Sequence, residues 1–289
     1  MKTLLQLLRV KQYAKNLFIF LPSFFAMQFF NFELQIKNII AFSSFSLLAS
    51  TIYILNDILD KDTDRKHKKK KNRPIASGKI SVPSAIIISV VILVCSFLLA
   101  TLLNNNYVYI LMGIYLVTNI LYIFILKHIG IIDVLTIASG YIIRILIGGA
   151  ATNVTINKWI IIMTFLLALF LAFAKRRDDV LIMEETGKKI RKSIEGYSLQ
   201  FVDSALFITS AITLVAYIMY TISAETIQRY DSDYIYITSV FVLLGILRYL
   251  QITMVTKDSG SPTEVLYKDK VLQLAILGWL LSFGIIMYA

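Results

Sequence analysis

Apolar runs of membrane-crossing length recur along the whole chain, broken by short polar stretches, and their spacing predicts nine helical spans near residues 16–30, 37–58, 83–103, 107–126, 131–151, 157–174, 203–223, 233–254 and 270–288. Strict polar–apolar alternation is absent. Only helices or closed barrels satisfy their backbone polar groups in lipid, so the pattern predicts an all-α polytopic membrane protein with nine transmembrane helices. The first run is short, and a tilted or partly interfacial segment is expected there. No small-residue cleavage site follows the basic N-terminal arm, so this span is expected to stay in the mature protein.

The polar breaks fall into two alternating sets. One carries 24 of the 29 Lys and Arg residues, the other only Lys37, Lys158 and Arg229, with Arg144 and Arg248 inside spans. The positive-inside rule makes the rich set cytosolic, with the N-terminus inside and the C-terminus outside. Its two long members, residues 59–82 and 175–202, concentrate functional loops on the cytosolic face of a cytoplasmic membrane. One follows the second span and the other the sixth. Residues 1–289 therefore read as one membrane domain of two four-helix halves plus a ninth helix, although no letter-by-letter repeat supports the symmetry.

Composition agrees: 57% of residues are apolar and 16% charged, against about a quarter charged in soluble domains. A net charge of +11 in so apolar a chain points to membrane orientation and anionic ligands rather than to nucleic acid. The single cysteine, Cys95, excludes an internal disulfide or a thiolate metal cluster, and its apolar surroundings predict a buried side chain.

Candidate chemistry begins with Asn56-Asp57-Ile58-Leu59-Asp60-Lys61-Asp62-Thr63-Asp64, at the cytosolic end of the second span. A continuous helix places Asp57, Asp60 and Asp64 on one face, at i, i+3 and i+7, and turns Asp62 to the other side. Three converging carboxylates repel one another and resist desolvation, so a cation is expected. Oxygen-only ligands favour a hard ion, and Mg²⁺ commonly takes one or two carboxylates together with substrate phosphates. A solvated helix end paired with Lys61, Arg65 and Lys66 is the rival reading.

Arg73, followed by Pro74 and then Ser77-Gly78, reads as a turn that holds a guanidinium near the aspartates, where its fork can grip phosphate. Lys68 to Lys71 need do no more than meet anionic lipid. In the second loop, Lys175 and Arg176 cap the sixth span, either to complement the helix dipole or to bind phosphate. Arg144, mid-span beside Tyr141, requires a partner or a wet cavity. Arg9, Lys11, Lys15 and Asn16 form an arm that either lies among headgroups or reaches a ligand. Mg²⁺-binding carboxylates and several cations at a membrane surface together describe diphosphate chemistry. No nucleophilic triad, P-loop or dinucleotide fingerprint appears.

On these residues the chain resembles the UbiA superfamily of intramembrane prenyltransferases, through Asn56-Asp57-x-x-Asp60-x-x-x-Asp64 and a nine-helix pattern. Within it, four blocks are similar to the decaprenyl-phosphate phosphoribosyltransferase branch: the Arg9–Asn16 arm, Asp64 to Gly78, Arg144 with Gly148-Gly149, and Lys175-Arg176-x-x-Asp179 followed by Arg191 and Tyr197. Departures are Val10, Tyr13, Lys68 and Asp179, where the branch pattern has Pro, Trp, Pro and Glu. A second D-x-x-x-D is missing, since Ile182 and Met183 stand four residues after Asp178 and Asp179.

The resemblance implies transfer of 5-phosphoribose from phosphoribosyl diphosphate to a polyprenyl phosphate, with Mg²⁺ held by Asp57, Asp60 and Asp64. It makes Lys15, Asn16, Asn56, Arg73, Arg144, Lys175, Arg176, Asp179, Arg191 and Tyr197 the substrate-binding set. Membrane lipid is the other expected partner, nucleic acid is not one, and a homo-oligomer is compatible with the chain. The alternatives are prenyl transfer to an aromatic acceptor and non-catalytic transport of a lipid phosphate.

Overall fold

The computed structural model describes residues 2–66, 70–187, 192–256 and 262–288, and those residues are helical or in turns, with no strand among them. Among the described residues eight helices are long and apolar enough to cross a membrane, with bounds of Phe32–Leu59, Val82–Leu103, Asn106–Phe124, Ile132–Thr152, Lys158–Thr186, Leu199–Thr221, Asp233–Thr256 and Lys270–Met287. The chain divides into two compact units: Met1–Phe124 with Ile143–Thr155, and Ile125–Ile142 with Ile156–Ala289. One of the three points where the chain passes between them falls inside the helix that begins at Ile132.

The first unit opens with helix α1 (Lys2–Leu7) and a 3-10 helix over Val10–Phe20, which runs into α2 (Leu21–Phe25). The expected first span, 16–30, is thus not a long α-helix. It lies antiparallel to α3 (Phe32–Leu59): Tyr13 meets Ser50, Asn16 meets Ser46, and Asn38 donates to Ser23. A 3-10 helix rises ~2.0 Å per residue against ~1.5 Å for an α-helix, so few residues cover much distance. Eleven 3-10 residues and five α-helical ones therefore reach about 30 Å, close to the hydrocarbon thickness of a bilayer.

Asn31 caps α3 by accepting from the Leu34 N–H, and the helix is largely buried. It pairs with α5 (Val82–Ala100), which follows the short α4 (Lys61–Lys66). Ser44 and Ser96 donate to each other's backbone carbonyl at 2.8 Å, a reciprocal bond that small residues permit by letting backbones approach. α5 shows only 17% burial over its apolar window, against 61% for α3, which identifies its outer face as lipid-facing. Cys95 lies on that face and is exposed, contrary to the sequence expectation, because a thiol facing lipid loses nothing by leaving the core. α6 (Asn106–Phe124) and the later turns of α7 (Ile132–Thr152) complete the unit around Phe45, Leu48, Met112, Tyr115 and Ile147. A Cβ at Gly148 would overlap the Ile19 carbonyl, so glycine is what lets the 3-10 helix lie against α7.

In the second unit, α8 (Lys158–Thr186) and α9 (Leu199–Thr221) start from Asn157 and Ser198, whose side chains accept from the Trp159 and Phe201 N–H groups. The sequence ends the sixth span near 174, but α8 continues twelve residues further, to Thr186. Carboxylates meet its two arginines there: Asp133 and Asp179 at Arg176, and Asp203 at Arg177. It stops at Gly187, whose φ of +65° allows its N–H to return to the Met183 carbonyl. After the short α10 (Ala224–Tyr230), α11 (Ser239–Gln251), α12 (Pro262–Lys268) and α13 (Lys270–Tyr288) finish the chain. Arg248 of α11 grips Asp269, just before α13, through both carboxylate oxygens, and those bonds hold the Asp269 carboxyl below its usual range.

Candidate active site

Two clusters of buried charge, one in each unit, hold most of the residues singled out in the sequence. In the first unit, α3 ends at Leu59, Asp60 forms its C-cap, and α4 restarts at Lys61, so the aspartates do not ride on one unbroken helix. Asp57 and Asp64 are each 2% exposed and turn inward, whereas Asp60 is half-buried and accepts from Asn56 at 2.9 Å. Asp62 is 90% exposed and pairs loosely with Arg65, as its place on the opposite face predicts.

Arg73 links the two inward carboxylates, its Nη1 donating to Asp57 Oδ1 at 2.9 Å and to Asp64 Oδ2 at 2.6 Å. The turn after it sets the geometry. Ser77 N–H returns to the Arg73 carbonyl, Gly78 adopts φ +78°, and Arg65 Nε donates to the Ala76 carbonyl. Ile75 drops into an apolar cluster with Leu7, Ile54 and Ala85, which anchors the turn to the helices. A second guanidinium, Arg9, bonds to the same Asp57 oxygen. The arm thus reaches the carboxylates through Arg9.

Asn16 serves the buried Arg144 instead. Its Oδ1 accepts from Arg144 Nε at 2.9 Å while its amide donates to Ser46. Arg144 also lies over the rings of Phe45 and Tyr115, 4.9 and 5.3 Å from their centroids, which answers the requirement for a partner. Lys15 and Lys175 are half-buried.

In the second unit Arg176 is 1% exposed and Asp133 fully buried. Arg176 Nε donates to Asp133 Oδ2 at 2.6 Å and its Nη1 to Asp179 at 2.7 Å, so this guanidinium holds protein carboxylates. Ser193 and Tyr197, beyond the charged loop, donate to Asp133 at 3.2 and 3.1 Å. Arg177 binds Asp203 and the Thr253 carbonyl. Lys175 and Arg176, expected to cap the sixth span, instead lie within α8, which runs on to Thr186. Arg191, with Lys188 and Lys189, lies outside the described residues, as do His67, Lys68 and Lys69.

Tyr197 also receives the Ile131 N–H at 2.5 Å, and burial, reinforced by the Asp133 carboxylate, pushes its pKa up to about 12. A phenol raised above its ordinary value of 10 adds stability below pH ~10 and loses it as the pH climbs through the folded value. Subtracting the alkaline absorbance titration of Tyr197→Phe from that of the parent should reveal one phenolate appearing near pH 12; a midpoint near 10 would refute the buried Asp133 contact.

Asp133 and Asp203 are residues that sequence reading passed over, and Arg9 was read only as part of the arm, without its carboxylate partner. Asp133 carried a signal, since an ionisable residue at the edge of an apolar span is functional by default. Arg9 stood in the arm with no local cue to its partner. Among the described residues no group of three Asp, Glu, His or Cys side chains gathers into a ready metal cage. The chemistry of the donors nevertheless fits Mg²⁺, which commonly takes one or two carboxylates and completes its shell with water and substrate phosphates. Asp57 and Asp64 supply such a pair, and Asp60 stands one turn away.

By its eight apolar helices among the described residues, the chain is an integral membrane protein. It belongs to the UbiA prenyltransferase family, which it matches over residues 16–277. It is 30% identical over 295 residues to the decaprenyl-phosphate phosphoribosyltransferase of Mycolicibacterium smegmatis, covering 99% of this chain and 92% of that protein. The enzyme of the same name from Corynebacterium glutamicum is 31% identical over 99% of this chain and 86% of its own length. Among solved structures, a UbiA homologue from Archaeoglobus fulgidus bound to GPP and Mg²⁺ superposes with a TM-score of 0.72 at 19% identity, over 98% of this chain and 99% of that one. A digeranylgeranylglyceryl phosphate synthase gives 0.64 at 20% identity, over 97% of each chain. At such identities these two establish the fold.

Proposed function

We propose that this protein transfers 5-phosphoribose from phosphoribosyl diphosphate to a polyprenyl phosphate, releasing diphosphate and depending on Mg²⁺. The observation that carries this reading is the end-to-end similarity to two decaprenyl-phosphate phosphoribosyltransferases. The charged stretch of α8 supports it locally, because Ile182 and Met183 stand where a second D-x-x-x-D would need carboxylates. In the reaction a lipid-phosphate oxygen bonds to the anomeric carbon of the ribose as the bond from that carbon to diphosphate breaks. Bound Mg²⁺ would neutralise the charge on the departing diphosphate.

Asp57 and Asp64 hold the metal, with Asp60 oriented by Asn56 as a third candidate. Arg73, fixed by its turn, presents a rigid fork to donor phosphate oxygens. Arg144, steadied by Asn16, and Lys15 and Lys175 are further phosphate ligands. Arg176 and Asp179 act through the scaffold they form with Asp133. The charge asymmetry of the loops supports a site on the cytosolic side of a cytoplasmic membrane, where a soluble sugar diphosphate is at hand.

Purified protein in nanodiscs, given labelled phosphoribosyl diphosphate and a polyprenyl phosphate, should form a labelled lipid with stoichiometric release of diphosphate, and EDTA should stop it. Prenyl transfer from a prenyl diphosphate to an aromatic acceptor, with no labelled lipid, would establish the alternative.

A further inference from the structure

Asp57 and Asp64 face two guanidiniums. Arg9 and Arg73 both bond to Asp57 Oδ1, and Arg73 also bonds to Asp64 Oδ2, so two buried negative charges are matched by two positive ones inside one cluster. Arg9 reaches this position from a left-handed backbone, with φ 51° and ψ 45°, at the bend between α1 and the 3-10 helix. Side chains other than glycine rarely adopt that region, so the bend that aims Arg9 at Asp57 is held by its surroundings. Arg9 also lies over the Tyr53 ring at 5.0 Å and keeps 22% of its side chain exposed. It can therefore swing toward solvent without crossing the core.

We propose that Arg9 and Arg73 are resident counter-ions that block the metal site until a diphosphate arrives, so that the divalent cation and the diphosphate enter as one unit. The inference rests on the reading that Asp57 and Asp64 bind the metal. A divalent ion entering the neutral cluster alone would meet two guanidiniums already bonded to the oxygens it needs, and would leave an excess of two positive charges in a largely desolvated place. A diphosphate supplies the compensating negative charge and gives each guanidinium a new bidentate partner. Arg9 and Arg73 then exchange protein carboxylate for substrate phosphate, and Asp57 and Asp64 become free to hold the cation. The site thereby rejects bare divalent cations.

The test uses Mn²⁺ as an EPR-visible substitute for Mg²⁺, titrated into the full chain in nanodiscs. Without phosphate compounds, wild-type protein should bind Mn²⁺ weakly, and Arg9→Gln should tighten that binding by about tenfold or more, because one repelling charge and one competing bond are gone. Asp57→Asn should abolish it. Wild-type protein provides a second comparison that needs no variant to fold: the preformed one-to-one complex of Mn²⁺ with inorganic diphosphate should bind at least about tenfold more tightly than Mn²⁺ alone. Unchanged or weaker Mn²⁺ binding in Arg9→Gln, or wild-type binding of bare Mn²⁺ as tight as that of the complex, overturns the proposal and leaves the aspartate assignment standing, provided Asp57→Asn still removes the metal. Mn²⁺ binding that survives Asp57→Asn refutes the aspartate assignment, and the proposal falls with it.

Discussion

Replacing Asp57 by Asn should lower diphosphate release by about 10²–10³-fold, the scale on which a preorganised electrostatic element contributes to catalysis. Asn keeps one oxygen that can accept from Arg9 and Arg73 and fills nearly the same volume, so the helical fold should persist. What it loses is the negative charge that makes the position a ligand for a hard cation. Asp62→Asn is the matched control in the same acidic run. Asp62 is 90% exposed and pairs with Arg65 at a loose 3.7 Å. Its replacement should stay within about twofold of wild type, as surface substitutions generally do. Rates measured for both variants at saturating Mg²⁺ decide the matter. Equal effects would mean that burial and the arginine partners do not define the site.

Asp133→Ala should produce the largest loss of stability in the chain. Asp133 is fully buried and accepts from Arg176, Ser193 and Tyr197, three groups that meet on one carboxylate. Removing it takes from Arg176, itself 1% exposed, the fully buried carboxylate that its Nε holds. Breaking one side of a buried ion pair costs about 3–5 kcal/mol, because a desolvated charge remains uncompensated. Thermal unfolding in detergent should register this as a markedly lower midpoint. The joint replacement of Asp133 by Leu and Arg176 by Met should recover much of the loss, since apolar residues of similar volume often substitute for a buried pair without harm. A single variant that unfolds with the wild type would show that the network contributes little. Activity adds a second readout: if Arg176 works as scaffold, the double variant should regain catalysis along with stability, whereas a phosphate-binding Arg176 would leave it inactive.

The helical membrane fold was legible in the linear pattern because lipid imposes it locally: each crossing must be a run of apolar residues long enough to span the hydrocarbon and must satisfy its own hydrogen bonds. Arg73 beside the aspartates was legible for a similar reason, since 16 and 9 residues separate it from Asp57 and Asp64 and a Pro–Gly turn brings them together. The first apolar stretch was only half legible. Its residues are apolar, but nothing local announced its 3-10 winding, packed against α3 and the bare backbone of Gly148. Nothing local announced that α8 would run on through Lys175, Arg176 and Arg177, because the carboxylates that neutralise the two arginines include Asp133, 43 residues earlier, and Asp203, 26 residues later.

Sequence by itself therefore determined the solvent, the helices, the family and the aspartate–arginine motif. Tertiary structure decided which protein partner each cation meets. Arg9 bonds to Asp57 across 48 residues, Arg144 to Asn16 across 128, and Arg176 to Asp133 across 43. The physical reason is that a guanidinium offers the same fork to a buried carboxylate and to a phosphate, so its identity and spacing are the same in both roles, and only the fold brings the competing carboxylate within reach.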